Sequence, residues 1–157
     1  MVRHSAAKKK EDDRLVKLRH SASHVMAQAV QECFPGVKLS IGPSTEEGFY
    51  YDFDYEGTIS IDDFPKLEAR MKEIIAQDLP FEKEEISKTE ALKFFKKRGE
   101  IYKVELLQGI EDEQVTLYRH DAFVDLCRGP HVPSTGGIKA FKLLSVAGAY
   151  WRGDERN

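Results

Sequence analysis

Two histidines, His20 and His24, stand one helical turn apart in the stretch Leu18-Arg19-His20-Ser21-Ala22-Ser23-His24-Val25-Met26-Ala27. In a helix that spacing sends both imidazoles out on the same side. Far downstream, Cys127 and His131 repeat the spacing within Asp125-Leu126-Cys127-Arg128-Gly129-Pro130-His131. A fold that joins the two clusters makes a pocket of three imidazoles, a thiol and a carboxylate. Such a pocket suits hydrolysis, because an imidazole takes or gives a proton near neutral pH. It also suits a metal, since three nitrogens and a sulfur complete a tetrahedral zinc set.

The elements that carry these residues follow from periodicity and punctuation. Leu15, Leu18, Ala22, Val25, Met26, Ala29 and Cys33 recur at helical period, and Pro35-Gly36 stops the run, so a first helix is expected over Leu15 to Phe34. His20 and His24 lie about half a turn from the centre of that stripe, beside Ala27 and Gln31. Small and polar neighbours there leave room for a ligand. Cys33, on the stripe itself, reads as a core residue.

A short strand is expected over Val37 to Ile41 and an aromatic one over Gly48 to Tyr55. The second puts Phe49, Tyr51, Phe53 and Tyr55 on one face, and a buried tyrosine there needs a partner for its hydroxyl. Ser60 opens a helix with Pro65 in its first turn, and Ser87 with Glu90 opens another that ends near Gly99. Phe81 to Ile86 reads as a strand between them. Tyr102 to Leu107 alternates and reads as a strand with Lys103 on its polar face; by pattern alone that lysine belongs to the surface. Val115 to Tyr118, Ala122 to Leu126, Phe141 to Leu144 and Ala147 to Trp151 read as further strands, around a shaped loop from Cys127 to Gly137. The expectation is one α+β domain: a long central helix packed against an antiparallel β-sheet, with additional helices.

Composition bounds the function. The 157 residues are 41% hydrophobic and 32% charged, with a formal charge of −3. A domain held to nucleic acid mainly by its own field is usually strongly basic, so a contact confined to a nucleic-acid end is the form left open. No apolar run reaches membrane-spanning length and no secretory signal is visible. Two cysteines without framework spacing point to a reducing compartment, and a cytoplasmic protein is expected, with an organellar stroma or matrix as the other setting. Residues 1–13, with Lys8-Lys9-Lys10 before Glu11-Asp12-Asp13, read as a flexible tail ahead of a domain over 14–157.

Six segments stand in order: Leu18-Arg19-His20-Ser21-Ala22-Ser23-His24, Ile41-Gly42-Pro43, Gly48-Phe49-Tyr50-Tyr51-Asp52, Tyr102-Lys103-Val104, the block from Val124 to Pro133, and Ala147-Gly148-Ala149-Tyr150-Trp151-Arg152-Gly153-Asp154. Together they resemble the editing domain of bacterial-type threonyl-tRNA synthetases. The paired HxxxH and CxxxH pattern is shared with alanyl-type editing proteins. The resemblance covers the chain from about Leu15 onward. The class II catalytic core and the anticodon-binding domain that follow in the family have no counterpart in this sequence, so ATP use and tRNA charging are not expected of it.

The resemblance implies an aminoacyl-tRNA deacylase that hydrolyses the ester of mischarged seryl-tRNA(Thr) and spares threonyl-tRNA(Thr). Serine lacks one methyl of threonine, a difference worth only about 1–3 kcal/mol, so a second and smaller sieve is physically needed. It implies catalytic roles for His20 and Lys103, and substrate contacts by His24, Tyr51, Asp125, Cys127 and His131. The implied partners are the serine-bearing acceptor end of tRNA(Thr) and the rest of the synthetase, with no membrane. No cofactor is expected. Zinc at His20, His24, Cys127 and His131, as in the alanyl-type proteins, is the competing expectation, and a non-catalytic module that holds a tRNA end is the other.

Overall fold

In a computed structural model, the structure describes residues 2–148, with side chains from residue 12 onward. Four helices and two small antiparallel sheets form one α+β unit, as expected. Helix α1 runs Val2–Cys33 and so begins well before Leu15. Ala6-Ala7-Lys8-Lys9-Lys10-Glu11 are good helix formers, and no proline or glycine precedes Pro35 to interrupt them. No helix among the described residues is long and apolar enough to cross a membrane.

From Ser21 to Val30, α1 is buried on both faces, apart from the half-buried Met26. One face carries Ala22, Val25, Ala29 and Val30 into the main core. There they meet Leu67, Met71 and Ile74 of α2 (Phe64–Ala76), which a capped turn at Ser60 introduces. The other face carries Ala27 against Leu39, Tyr51 and Phe123. That second burial is what the apolar stripe alone did not reveal. It puts the histidine face of the helix inside the molecule.

The aromatic segment forms only a two-residue strand, β2 (Phe53–Asp54), paired with β1 (Lys38–Leu39). Bonds from the Ser40 N–H to the Asp52 carbonyl and from the Asp52 N–H to the Ile41 carbonyl prolong the pairing irregularly. The larger sheet orders β3 (Glu82–Ser87), β4 (Gln114–His120) and β5 (Phe123–Leu126) side by side, all antiparallel. Helix α3 (Lys88–Lys97), capped by Ser87, and helix α4 (Ile101–Gln108) cover it through Ala91, Phe95 and Leu107.

Two expectations are corrected. Tyr102 to Leu107 lies in helix α4, not in a strand. Its period-two alternation is incidental, because the buried positions are Lys103 and Leu107, four apart, and a lysine does not register as a core residue. Phe141 to Leu144 is not a strand; it runs without regular pairing, with Leu143 buried against the main core. Of the expected strand Ala147 to Trp151, the first two residues are unpaired and the remainder lies outside the described residues.

Gly42 shows how tightly the second face is built. A Cβ there would fall inside the Tyr51 ring, and its carbonyl accepts the Ser23 hydroxyl of α1 at 2.9 Å. Overpacking of this kind costs about 1–3 kcal/mol. Gly42→Ala is therefore expected to lower the unfolding free energy measured in urea by that amount and to displace the Tyr51 ring, which the change in its aromatic NMR shifts would report.

Candidate functional site

The two clusters meet. Helix α1 presents His20 and His24, and the loop that leaves β5 turns back to bring Cys127 and His131 against them. One donor atom from each of the four lies within 4.8 Å of the others. Cys127 Sγ is 3.3 Å from His20 Nε2 and 3.4 Å from His131 Nε2. The His20 and His131 rings stack at 4.4 Å, and His24 meets both at 5.1 and 4.3 Å. Gly129 makes the turn possible. Its φ is +79°, and a Cβ would meet the Tyr118 hydroxyl at 2.5 Å, while the Tyr118 ring packs edge-on to His131.

Behind the histidines lies a buried charged network. Lys103 Nζ reaches Asp125 Oδ1 at 2.7 Å and donates to the Tyr51 hydroxyl at 3.0 Å and to the Ser40 carbonyl. The Lys103–Asp125 contact is an ion pair without the alignment of a good hydrogen bond. Tyr51 in turn donates to Asp125 Oδ2 at 2.7 Å, and His24 Nε2 stands 3.3 Å from the same oxygen. An ionised carboxylate only accepts, so His24 carries its proton on Nε2 and leaves Nδ1 bare. That Nδ1 is buried and has no partner. Glu100, at the start of α4, accepts the Leu39 N–H at 3.0 Å, next to the Ser40 carbonyl that Lys103 holds. Lys103 of α4 and the Glu100 that precedes it thus grip the end of β1 and the residue after it.

Burial sets the protonation of the cluster. It lowers the His20 pKa from its ordinary value and lowers that of His24 well below it; the neighbouring imidazoles and Lys103 add to the effect on His24. It pushes His131 down to about 3 and His120 to about 4. It pushes the Cys127 thiol up to about 12 and Tyr51 well above its ordinary value. At neutral pH the imidazoles of the site are therefore neutral and the thiol protonated.

All seven expected residues lie in this one assembly, but they are not equally reachable. His20, Cys127 and His131 are half-buried. His24, Tyr51, Lys103 and Asp125 are buried, and the Lys103 amine is occupied by protein groups. Pattern reasoning missed Ser21, whose Oγ lies 3.0 Å from His131 Nδ1, and Glu100. It also missed His120, buried between Phe81 and Phe123 with neither ring nitrogen bonded. A serine beside a histidine on a helix, and a histidine at a strand end, carry no periodic signal.

The donor set fits zinc. Ligand atoms around the ion stand about 3.3–3.8 Å apart, as the two sulfur–nitrogen distances do. His24 has its Nε2 supported from behind by Asp125, the pattern that orients metal-bound imidazoles.

Residues 115–157 match the family described as the threonyl and alanyl tRNA synthetase second additional domain. The chain is 60% identical to the threonine--tRNA ligase of Lawsonia intracellularis over 146 residues, 93% of this chain and 23% of that protein. Against the threonine--tRNA ligase of Nitratidesulfovibrio vulgaris it is 58% identical over 89% of its length, and against that of Carboxydothermus hydrogenoformans 58% over 88%. The chain resembles a threonyl-tRNA synthetase editing domain. It spans about a quarter of the length of the ligases it matches. The match to the ligases spans both halves of the histidine–cysteine cluster, and the family match includes Cys127 and His131.

Removing one member of a buried ion pair strands the other, at a cost of about 3–5 kcal/mol. Asp125→Ala is therefore expected to lose that much stability in urea denaturation. The double variant Lys103→Met, Asp125→Leu removes both charges and is expected to regain most of it.

Proposed function

We propose that this chain is an aminoacyl-tRNA deacylase that edits for a threonine--tRNA ligase, hydrolysing the ester of seryl-tRNA(Thr). The observation that carries the reading is the convergence of His20, His24, Cys127 and His131 over a buried Lys103–Asp125 pair. Kinship to threonine--tRNA ligases supplies the substrate class. In the reaction a water oxygen attacks the seryl carbonyl carbon, and its proton passes to His20. The tetrahedral centre then expels the ribose oxygen, which regains a proton. Serine and free tRNA result, with no covalent enzyme intermediate.

His20 is the base in this scheme because it is half-buried with Nε2 beside the thiol and burial keeps it neutral, whereas His131 has Ser21 behind its ring. Cys127 and His131 line the wall that a serine side chain fits and a threonine methyl crowds. Lys103 is a positioning residue: it fixes the Asp125 carboxylate at 2.7 Å, and Asp125 with Tyr51 holds His24. The seryl ammonium reaches Asp125 by displacing one of these internal partners. The tRNA acceptor end and the remainder of the ligase are the partners, and residues 14–157 are the editing unit.

A second reading is favoured by the bare, unpartnered His24 Nδ1: a metal-dependent deacylase with zinc held by His20, His24, Cys127 and His131. Bound there, zinc would polarise the ester carbonyl or acidify a water.

Deacylation of seryl-tRNA(Thr) by the full chain tests the first reading. The rate is expected to exceed the spontaneous one, with threonyl-tRNA(Thr) spared. His20→Ala is expected to cost 10²-fold or more in rate, about what losing a general base removes. A rate equal to the spontaneous one would leave a module that only holds the tRNA end.

Cobalt titration tests the metal reading. A sulfur-to-metal absorption band that Cys127→Ser abolishes is expected if the metal reading holds; its absence at saturating cobalt eliminates that reading.

A further inference from the structure

Ser21 is fully buried on α1, between the two histidines, and stands outside the expected site residues. Its Oγ accepts the Val132 N–H at 3.0 Å, since a backbone N–H can only donate. Its hydroxyl proton then needs an acceptor, and the ring nitrogen beside it is His131 Nδ1, at 3.0 Å. If Nδ1 accepts, the neutral His131 ring carries its proton on Nε2, which faces Cys127 Sγ.

The far end of the chain agrees with the same direction. The backbone of Pro130 lies beside the His20 ring and favours a protonated nitrogen there. A proline has no N–H, so the carbonyl accepts and the ring nitrogen there is protonated. His20 Nε2 faces Cys127, so the protonated atom is Nδ1 and Nε2 is bare. Cys127, which also accepts the Gly129 N–H at 3.2 Å, is left to accept from His131 and donate its S–H to His20.

We propose that Ser21 is a positioning residue whose hydroxyl sets the direction of a hydrogen-bond chain, Ser21 to His131 to Cys127 to His20, and so keeps His20 Nε2 unprotonated, a base once the attacking water takes the place of the thiol S–H at that nitrogen. The catalytic consequence rests on the deacylase reading; the direction of the chain does not. The reverse direction would leave a buried hydroxyl proton without an acceptor. It is also the direction that a metal on His131 Nε2 requires, because a ligating nitrogen must be unprotonated. Ser21 thus weighs against metal at this histidine.

Long-range ¹H–¹⁵N correlation on the full chain, with labelled histidine, reads the tautomers directly. Expected in wild type are His131 with Nε2 protonated and Nδ1 bare, and His20 with the opposite arrangement. Ser21→Ala is expected to shift the His131 Nδ1 resonance and populate its protonated form. With seryl-tRNA the same variant is expected to lose about tenfold in kcat at unchanged KM, the scale of losing a supporting hydrogen bond behind a site histidine. A wild-type His131 protonated on Nδ1 overturns the proposal, and that measurement stands even if Ser21→Ala fails to fold. Tautomers unmoved by Ser21→Ala overturn it as well. Expected tautomers with no deacylation overturn the proposed function and leave the chain's direction intact.

Discussion

The site depends on one buried ion pair. Lys103 and Asp125 are each almost wholly removed from water, 2.7 Å apart, on elements that share no local structure. Burying two charges costs several kcal/mol each before their attraction is counted, so such a pair persists only with good geometry and further hydrogen bonds. The further bonds are present. The Ser40 carbonyl and the Tyr51 hydroxyl take up Lys103, and Tyr51 with His24 takes up Asp125. Helix α4, strand β5, the β1–β2 hairpin and α1 are tied together at this point. A replacement by apolar residues would hold the elements as well, but it would leave His24 without the carboxylate that selects its tautomer.

How far the pattern of residues reveals this differs from element to element. The HxxxH spacing predicts two imidazoles on one side of a helix, and α1 places them so, because i and i+4 fix that geometry whatever the surroundings. The Val124 to Pro133 block predicts a loop that returns Cys127 and His131 together, which glycine at φ +79° permits. Lys103 is the instructive failure. Its side chain is buried by a network of partners scattered from residue 40 to residue 125, and neither hydropathy nor alternation records such partners. Likeness to a family pointed to it where periodicity pointed away. Ser21, Glu100 and His120 lay beyond both approaches, because each acts through a contact with a residue 61 or more positions distant or within a packed aromatic cluster.

The helix carrying the histidines is buried on two sides for a related reason. A helix at the edge of a fold presents one apolar stripe and one solvated face. Here the second face holds serines, a glutamine and the histidines, and each polar group must find a partner or remain costly. Ser21, Ser23 and His24 are bonded to the Cys127–His131 loop, to Gly42 and to Asp125. The polar residues of α1 therefore act as specific joints: they dock the helix in one register against the hairpin and the loop, which an all-apolar face would do less selectively.

Two chemical states compete for the same four ligands, and the competition is decided by where protons sit rather than by where atoms sit. A neutral imidazole has one proton and two nitrogens, so a bond made behind the ring dictates what the front offers. Asp125 behind His24 leaves a bare nitrogen, as a metal or a substrate proton would need. Ser21 behind His131, donating, leaves a protonated one, as a thiol acceptor needs and a metal does not. The same ring spacing can therefore serve a metal site in one protein and a hydrogen-bonded hydrolytic pocket in another. The residue that distinguishes them need not touch the substrate, and it is not among the four that the spacing makes conspicuous.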